Sequence, residues 1–339
     1  MTTHTIRAYA AKAPHAELER HDYDAGPLPA DEVEIKVHYC GVCHTDLAMI
    51  DNEWGISSYP VVAGHEIVGE ITALGSAARG LAVGQMVGVG YNAASCLHCD
   101  PCMGGQHNAC SQAVPTVVRM GGFADRVRVQ WPWAIALPAQ LDAATAGPLL
   151  CGGIAVFQPL LQHHVRGSAR VGVIGVGGLG HMALGFFNAW GCEVSAFVND
   201  LGQQDEIMAL GAHHVRSSAD PAALTDEQGS FELIVSTVGA ALDWNGFLGL
   251  LKPEGKLHVL GGSLKPLEIQ TFSLITGNKA VAGSSGGSPL QMREMVAFAA
   301  RKRVAPKVEM FPMSRINDAL QHLRAGKAHY RVVLHNDFA

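Results

Sequence analysis

The chain of 339 residues is more than twice the length of a typical domain, so its length predicts two domains. Hydrophobic residues make up 48% of it and charged residues only 16%, which excludes a disordered chain and indicates large buried cores. Lys and Arg number 24 against 30 Asp and Glu, a net charge of −6. This acidic balance, with no basic cluster beyond residues 301–303, argues against nucleic acid as a partner.

The N-terminal residues lack the apolar run of a secretory signal, so we expect a cytoplasmic protein. In that compartment clustered cysteines serve as metal ligands or catalytic groups more often than as disulfides. Residues 171–192 contain no Asp, Glu, Lys or Arg, and this uncharged run is long enough for a membrane span. The many glycines in this run disfavour an uninterrupted helix, so it predicts a buried strand, a turn and a helix, and no membrane partner.

Short runs with alternating apolar residues predict a β-rich first third. The predicted strands are Val33–Cys40, Ile67–Leu74, Val83–Val89 and Asp125–Val129. Gly, Pro and Asn separate these runs, and such a pattern of short strands and turns is typical of a small barrel or a folded sheet.

From about Gly167 onwards, predicted strands alternate with predicted helices, which indicates a parallel sheet covered on both faces. The strands are Arg170–Ile174, Glu193–Phe197, Phe231–Val238 and Lys256–Leu260, and the helices are Leu179–Trp190, Gln203–Leu210 and Leu242–Leu251. Near the C-terminus we predict a helix with Ser314 as N-cap and Gly326 just beyond its end, followed by the strand Tyr330–Leu334. We expect this last segment to complete the β-rich part.

Four cysteines form the strongest local pattern in the chain. They are Cys96, Cys99, Cys102 and Cys110, with two, two and seven residues between them. Four thiolates at such spacings can surround one Zn²⁺ tetrahedrally and leave it no open position for a substrate. An iron–sulfur cluster takes the same ligands, and unliganded thiols are a further alternative. Structural zinc, in a lobe of about residues 95–111, is the favoured interpretation.

Three other potential ligands lie far apart in the sequence. Cys43 belongs to CGVCH (residues 40–44), a haem-attachment pattern whose chemistry normally requires export, for which no signal is present. It is better interpreted as a metal ligand at a strand end. Taken singly, His65 is typical of a buried polar residue, and Cys151 of a small buried hydrophobic one.

Together these motifs resemble those of the zinc-dependent medium-chain alcohol dehydrogenases over nearly the full chain, and more narrowly those of the cinnamyl-alcohol-dehydrogenase branch. The motifs are GVCHTD (41–46), NEWGISSYPVVAGHEIVGE (52–70), the four-cysteine pattern, PLLCGGI (148–154), GVGGLG (175–180) and LKPEGKLHVLG (251–261). The resemblance implies a GroES-like β-rich catalytic domain of residues 1–148 and 286–339. It also implies a Rossmann domain of residues 149–285 with a doubly wound parallel sheet, and a homodimer.

The resemblance implies Cys43, His65 and Cys151 as ligands of a catalytic zinc, with Glu66 as a neighbour or an alternate ligand. Two thiolates, one imidazole and an open fourth position form a ligand set that dehydrogenases use. With the four-cysteine lobe, two zinc ions per chain are expected.

Residues beside Cys43 match the family's proton relay. The resemblance implies that Thr45 contacts the substrate oxygen, that His44 lies against the cofactor, and that Asp46 orients a ligand by hydrogen bonding. Plant members carry a His two residues beyond the Asp, where this chain has Ala48. The group at the outer end of the proton relay is therefore either water or His44.

The motif GVGGLG follows a predicted strand and opens a predicted helix, which is the context of a dinucleotide-binding fingerprint. We expect the cofactor's pyrophosphate to lie against its backbone at the helix N-terminus, with contacts from Gly175, Gly177, Gly178, Leu179 and Gly180. Arg331 matches a family arginine near the pyrophosphate, although a surface charge on a strand is an alternative.

The ribose end of the fingerprint departs from the branch, which usually binds NADP. Members place Ser or Thr there with Lys or Arg nearby, whereas this chain has Val198 and Asn199 followed by Asp200. No Lys or Arg occurs between Arg170 and Arg216, so a 2′-phosphate would lack a cation nearby in sequence. We therefore expect NAD(H) use or weak discrimination against NADP(H), although Asp200 is also typical of a surface N-cap.

The family's substrate cleft corresponds to a segment with Trp54, Ile56 and Tyr59, for which ordinary packing is the alternative. Plant members carry an aromatic and an aliphatic residue where this chain has Ser285 and Gly286. Without these two bulky side chains the wall of the substrate cleft would be open. This indicates that the protein accepts a broad range of aromatic and aliphatic aldehydes.

The leading interpretation is a zinc-dependent oxidoreductase that interconverts primary alcohols and aldehydes by hydride transfer with a nicotinamide cofactor. One alternative is a zinc-free quinone or enone reductase of the same fold. Another is a dinucleotide-binding protein that has lost catalysis, an interpretation supported only by the altered residues Ala48, Val198 and Asn199.

Overall fold

The computed structural model describes residues 5–221, 224–262 and 265–338. The chain divides into two compact units. The first unit is Met1–Cys151 with Gly286–Ala339, and the second unit is Gly152–Ser285. The sequence places the first boundary after residue 148, whereas contacts divide the chain after Cys151. Cys151 therefore lies in the same unit as Cys43 and His65.

The strands, in chain order, are β1 (Thr5–Ala10), β2 (Glu19–Asp24), β3 (Glu32–Val42), β4 (Glu66–Leu74), β5 (Met86–Val89), β6 (Asn92–Ala94), β7 (Val114–Pro115), β8 (Arg126–Gln130), β9 (Ile135–Ala136), β10 (Arg170–Ile174), β11 (Glu193–Val198), β12 (His214–Ser217), β13 (Phe231–Ser236), β14 (Leu251–Val259), β15 (Ala280–Gly283), β16 (Val308–Pro312) and β17 (Arg331–His335). The helices are α1 (His44–Asp51), α2 (Asp100–Met103), α3 (Thr116–Arg119), α4 (Ala143–Ala146), α5 (Gly152–Gln162), α6 (Gly180–Trp190), α7 (Gln204–Ala209), α8 (Trp244–Leu250), α9 (Thr271–Ile275), α10 (Pro289–Lys302) and α11 (Ile316–Arg324).

The first unit is built on a seven-stranded sheet in the order β16-β17-β3-β4-β5-β9, with β8 also paired to β3. Strand β3 lies at the centre of this sheet, where it pairs with β17, β4 and β8. Its apolar residues, among them Val33, Ile35 and Val37, are fully buried. Strand β17 pairs antiparallel with β3, with Val332 opposite Val42. The C-terminal segment thus completes the β-rich part, as expected.

The second unit contains a six-stranded parallel sheet in the order β12-β11-β10-β13-β14-β15. Numbered within this unit, the order is 3-2-1-4-5-6, which is that of the doubly wound dinucleotide-binding fold. The predicted parallel sheet is confirmed. The uncharged run from Val171 is strand β10, a glycine turn and helix α6, so the strand–turn–helix interpretation of that run is also confirmed.

Several predicted element ends are shifted: β5 begins at Met86 instead of Val83, and β13 ends at Ser236 instead of Val238. Two further differences have a clear cause. Strand β14 begins at Leu251 instead of Lys256, because Leu251 already pairs with Phe231 before a bulge in the ladder. Ser314 is not an N-cap: it lies in a 3₁₀ turn, and its backbone N–H and hydroxyl donate to the carboxylate of Asp337. A partner 23 positions away takes the hydroxyl that a cap would need for α11.

The rest of the prediction for helix α11 is confirmed. The residues of its apolar face are buried, namely Ile316, Ala319, Leu320 and Leu323. Gly326 follows the helix with a φ of +64°, the left-handed conformation that glycine favours after a helix end.

No single helix in the described ranges is long and apolar enough to cross a membrane. Ala143–Leu150 and Gly152–Gln162 meet the criteria of length and composition only as a bent pair.

Candidate metal centres and active site

Two groups of side chains in the first unit have the chemistry and the spacing to hold a metal ion. In the first group, one donor atom each from Cys43, His65, Glu66 and Cys151 lies within 4.8 Å of the others. The Nε2 atom of His65 is 3.2 Å from the Sγ atom of Cys43 and 3.2 Å from that of Cys151. Two thiols, an imidazole and a carboxylate form a donor set that suits zinc.

The start of helix α1 arranges the first group. Cys43 is the N-cap residue, and its Sγ atom accepts a hydrogen bond from the backbone N–H of Thr45 at 3.3 Å. The carboxylate of Asp46 accepts from the backbone N–H of Cys43 at 3.0 Å and from that of Gly64 at 2.8 Å. Asp46 therefore ties the N-terminus of α1 to the loop that carries His65.

Asp46 also holds the His65 ring directly. Its Oδ1 atom lies 2.9 Å from Nδ1 of His65, and both side chains are fully buried. A proton on Nδ1 that is donated to this carboxylate leaves Nε2 free to face the two thiols. The orienting role that the resemblance implies for Asp46 stays a prediction, and this contact is the one that the role requires.

Proton affinities in this group depend on short contacts among its members. A hydrogen bond with Cys151, together with the charge of His65, holds the pKa of Cys43 well below its usual value despite burial. The same hydrogen bond, then burial, raises the pKa of Cys151. Burial alone would lower the pKa of His65, but the charges of Asp46 and Cys43 raise it. The two thiols are close enough to be joined by one hydrogen bond. A divalent cation binds such thiols in their deprotonated forms.

Glu66 is the fourth member of the group, and its carboxylate forms a buried ion pair with Arg331. One guanidinium nitrogen of Arg331 contacts Oε1, while Oε2 of Glu66 has no hydrogen-bond partner among the described residues. Burial raises the pKa of Glu66, and the charge of Arg331 opposes that rise. Arg331, which the sequence assigns to the pyrophosphate, is thus placed beside the metal-ligand group by strand β17.

The second group consists of the four cysteines of the lobe. One Sγ atom each from Cys96, Cys99, Cys102 and Cys110 lies within 4.8 Å of the others. The backbone N–H of Cys99 donates to Sγ of Cys96 at 3.3 Å. Hydrogen bonds, first from the backbone N–H of His98, lower the pKa of Cys96 to about 6. A backbone hydrogen bond from Cys102 lowers the pKa of Cys99, but hydrogen bonds with the other thiols and burial raise it to about 12. The structure thus brings together the four residues that the spacing predicts, and their thiols compete for the same protons.

The remaining predicted residues of helix α1 lie at its first turn. His44 is exposed and Thr45 is partly exposed, and both adjoin Cys43.

Sequence analysis missed Tyr91, whose ring packs edge-on against His65, with the ring centroids 5.9 Å apart and the planes at 86°. No spacing pattern marks Tyr91. The two residues lie just beyond the paired ends of the antiparallel strands β4 and β5, each two positions past the pair Ile67 and Val89.

The glycine motif in the second unit forms the turn between β10 and α6. Gly175 has a φ of +83°, and a Cβ atom there would lie 2.3 Å from Val238. A Cβ atom on Gly180 would lie 2.0 Å from the carbonyl oxygen of Gly175, whereas one on Gly177 would meet nothing within 4 Å. Leu179 is the N-cap residue of α6 without a side-chain cap. The turn therefore needs glycine at its ends and leaves Gly177, beside Gly178, open to a ligand.

A cavity of about 240 Å³ adjoins this turn in the second unit. Its lining includes Gly175, Asn199, Asp200, Gln203 and Ser218, and none of its described lining residues is Lys or Arg. Asp200 caps a 3₁₀ turn by accepting from the backbone N–H of Gly202 at 2.8 Å, and the Ser218 hydroxyl donates to Oδ1 of Asn199. Asp200 is thus a surface N-cap that also lines the cavity.

Three of the predicted substrate residues are exposed, whereas Tyr59 is half-buried and its hydroxyl donates to the carbonyl oxygen of Ile50 at 2.8 Å. Trp54 and Ile56 follow helix α1 in the first unit, where 42% and 56% of their surfaces are exposed. Ser285, also exposed, is the last residue of the second unit, after strand β15.

The chain matches two protein-family models. The model of the alcohol dehydrogenase GroES-like domain matches residues 29–139, and the model described as zinc-binding dehydrogenase matches residues 178–301. An aldehyde reductase, AdhA, of Synechocystis sp. (strain ATCC 27184 / PCC 6803 / Kazusa) is 48% identical over 330 residues, which cover 97% of this chain and 98% of that protein. A probable cinnamyl alcohol dehydrogenase 6 of Arabidopsis thaliana is 35% identical over 336 residues, which cover 96% and 93%.

Solved structures that resemble the chain over nearly its full length include two cinnamyl-alcohol-dehydrogenase-type proteins. A cinnamyl alcohol dehydrogenase from Sorghum bicolor has a TM-score of 0.92 at 36% identity and covers 98% of this chain and 97% of its own. A CAD from Helicobacter pylori, in complex with NADP(H), has a TM-score of 0.90 at 29% identity and covers 98% and 99%. The chain therefore belongs to the zinc-dependent medium-chain alcohol dehydrogenases, in their cinnamyl-alcohol-dehydrogenase-like branch.

Proposed function

We propose that this protein is a zinc-dependent oxidoreductase that interconverts primary alcohols and aldehydes with a nicotinamide cofactor. The observation that carries the proposal is the convergence of Cys43, His65 and Cys151 on one point, with sulfur–nitrogen distances of 3.2 Å. In this family's fold, such a donor set supports a catalytic metal. The test is aldehyde reduction by the purified protein, measured together with its zinc content.

Cys43, His65 and Cys151 would hold the catalytic zinc, and Glu66 would replace an exchanging ligand when the Arg331 ion pair loosens. Zinc in that position polarises a carbonyl and lowers the pKa of an alcohol, and the nicotinamide cofactor gives or takes the hydride. The four lobe cysteines would hold a second, structural zinc without an open position. The expected content is two zinc ions per chain.

The proton that accompanies hydride transfer is assigned to the first turn of α1. The Thr45 hydroxyl would hydrogen-bond to the substrate oxygen, and the exposed His44 would lie near the cofactor and exchange the proton with water. The position that carries a His in plant members is the buried Ala48, so the outer part of the relay runs through His44 or solvent. Asp46 takes no proton in this scheme and only orients His65.

Cofactor binding is assigned to the turn at Gly175–Gly180, with NAD(H) preferred. The absence of Lys and Arg from the described lining of the adjoining cavity supports this preference, as does the carboxylate of Asp200. A 2′-phosphate there would meet like charge without a compensating cation. Initial rates with NADH and NADPH at equal concentration test this, and a strong NADPH preference would contradict it. Asn199→Arg supplies a cation and is expected to raise the rate with NADPH.

Substrate scope is proposed to be broad, over aromatic and aliphatic aldehydes. The small residues Ser285 and Gly286, where plant members have bulky ones, support an open wall, and exposed Trp54 and Ile56 supply apolar contact surface. Comparable kcat/KM values for cinnamaldehyde, benzylic and aliphatic aldehydes would support this scope. A large advantage for cinnamaldehyde alone would overturn it.

A homodimer is proposed from the edge of the second unit's sheet. Among the described residues β15 is the last strand of the sheet, and helix α9, which precedes it in the chain, exposes 77% of Phe272 and 62% of Ile275. An unpaired edge beside exposed apolar side chains favours pairing with a second copy. Light scattering should then give twice the 35.8 kDa of one chain, and Phe272→Glu should shift the mass towards one chain. A cytoplasmic location is also proposed, since none of the eight cysteines, all of which lie in the described ranges, forms a disulfide.

Zinc content and aldehyde turnover separate two alternative functions from the proposed one. A zinc-free quinone or enone reductase would contain one zinc or none and would reduce conjugated double bonds. A non-catalytic dinucleotide-binding protein would bind NADH without turning over any aldehyde. The presence of all three donors Cys43, His65 and Cys151 in one group favours the alcohol dehydrogenase.

A further inference from the structure

The first metal-ligand group combines buried side chains with neighbours that solvent reaches. Cys43, Asp46, His65 and Glu66 are buried. The side chains beside them that solvent reaches are those of His44, Thr45, Cys151 and Tyr91. These four residues form the opening of the group, and Tyr91 has the largest side chain among them.

The backbone holds Tyr91 firmly at this opening. A Cβ atom on the preceding Gly90 would lie 2.4 Å from the carbonyl oxygen of Leu150, so Gly90 packs directly against the residue before Cys151. On the other side, the backbone N–H of Thr116 donates to the carbonyl of Tyr91 at 2.7 Å, and the Thr116 hydroxyl donates to that of Gly90 at 2.7 Å. Tyr91 is thereby fixed between Cys151 and the buried Thr116.

The Tyr91 ring extends this placement to His65. The edge-on contact, with centroids 5.9 Å apart, sets the ring beside the imidazole whose Nε2 faces both thiols. The phenol is thus adjacent to two of the three proposed zinc ligands.

The hydroxyl of Tyr91 is a hydrogen-bond donor without a partner in the part of the chain that the structure describes. Among the neighbouring polar groups, Asp46 accepts from His65 and two backbone N–H groups, and Oε1 of Glu66 pairs with Arg331. The other oxygen of Glu66, Oε2, has no hydrogen bond with Tyr91 or with any other described residue. A phenol is protonated at neutral pH, so this hydroxyl can donate to a molecule that enters the opening.

We propose that Tyr91 is a specificity-determining residue, whose hydroxyl donates a hydrogen bond to a second oxygen on the substrate, beyond the reacting carbonyl. This inference rests on the proposed function, since it places the reacting oxygen at the group formed by Cys43, His65 and Cys151. The favoured substrates are hydroxy- and alkoxy-aldehydes over alkyl aldehydes of the same size. An alkyl group at that position leaves the hydroxyl of Tyr91 without its acceptor.

The test compares methoxyacetaldehyde with butanal, which has a CH₂ group where the former has its ether oxygen. The wild-type ratio of their kcat/KM values is measured first, and then that of Tyr91→Phe, which removes only the hydroxyl. We expect the ratio to fall about tenfold in Tyr91→Phe, the effect of one neutral hydrogen bond. Tyr9→Phe, in strand β1, is the matched control and should leave the ratio unchanged.

A binding measurement supplies a readout that does not depend on turnover. Methoxyacetamide and butanamide are unreactive analogues of the two aldehydes, and calorimetry with NADH present gives their dissociation constants. Tyr91→Phe should weaken methoxyacetamide binding about tenfold and leave butanamide binding unchanged, with zinc content equal to that of the wild type.

Other outcomes overturn the inference. Equal changes for both aldehydes, or none, would show that the hydroxyl does not read the second oxygen. Zinc loss in Tyr91→Phe would make Tyr91 a residue that only positions His65. If the zinc-loaded wild type reduced no aldehyde at all, the proposed function itself would fail, and this inference with it.

Discussion

Asp46 and His65 form a fully buried pair in which the carboxylate Oδ1 atom lies 2.9 Å from the imidazole Nδ1 atom. The same carboxylate binds the backbone N–H groups of Cys43 and Gly64. One side chain therefore fixes the ring orientation of one proposed ligand and the backbone position of another.

Replacing Asp46 with Asn tests this relationship. An amide NH₂ group at the position of Oδ2 would face the backbone N–H of Cys43, so two donors would oppose each other. We expect zinc affinity at the first group, or kcat/KM, to fall about 10- to 100-fold. The measurement is zinc release to a chelator, with Glu53→Gln, an exposed change just after α1, as the control. Wild-type zinc affinity and rate in Asp46→Asn would contradict the orienting role.

The four-cysteine lobe should affect stability instead of chemistry. Cys102→Ser removes a buried thiol from the second group, and the variant should contain one zinc fewer than the wild type and unfold at a lower temperature. Calorimetric unfolding and metal analysis check this. A variant that kept both zinc ions would show that Cys102 is not a ligand.

The buried ion pair of Arg331 and Glu66 makes a prediction about stability. Arg331→Met leaves the Glu66 carboxylate buried without a counter-charge, which costs about 3–5 kcal/mol of unfolding free energy. The double variant Arg331→Met/Glu66→Gln removes both charges and should recover most of the loss. Denaturant unfolding of the three proteins measures it. Equal destabilisation of the single and double variants would mean that the charge pair is not the cause.

His258 in strand β14 gives a prediction about pH. It is fully buried, and its ring nitrogens lie 2.9 Å from Nε2 of His163 and 3.0 Å from the Ser284 hydroxyl. Burial, then the charge of His163, lowers the pKa of His258 to about 4. The unfolded chain, with a pKa of about 6.5, binds a proton that the folded chain does not, so stability falls as pH drops from about 6.5 towards 4.

Thermal unfolding at pH 7 and pH 5 measures this effect. His258 should account for about 2 kcal/mol of the stability lost between those values. In His258→Gln the difference between the two unfolding temperatures should therefore be smaller than in the wild type. An identical difference in both proteins would show that His258 does not titrate in this way.

The parts that sequence predicted well are those in which local pattern and fold agree. Strand β10 has the predicted bounds, because the glycines that follow it fit only a tight turn before a helix. The lobe cysteines are close in sequence, so their spacing sufficed. Cys43, His65 and Cys151 are far apart, and only the resemblance to a family linked them before the structure did.

The parts that sequence missed depend on distant partners. Ser314 has the residue type of an N-cap, but Asp337 takes its hydroxyl. Tyr91 and His65 lie two positions beyond the paired residues Val89 and Ile67 of β5 and β4, and no single segment encodes that pairing. Arg331 meets Glu66 because β17 and β4 both pair with β3. Each of these contacts is set by sheet pairing over long sequence separations.

The central claim is that Cys43, His65 and Cys151 form a catalytic zinc site in an aldehyde-reducing enzyme. The most direct test is Cys43→Ser, assayed for zinc per chain and aldehyde reduction with NADH beside the wild type. The account predicts two zinc ions and turnover in the wild type, and one zinc ion, no turnover and an unchanged circular dichroism spectrum in the variant. Undiminished aldehyde reduction by Cys43→Ser would contradict it.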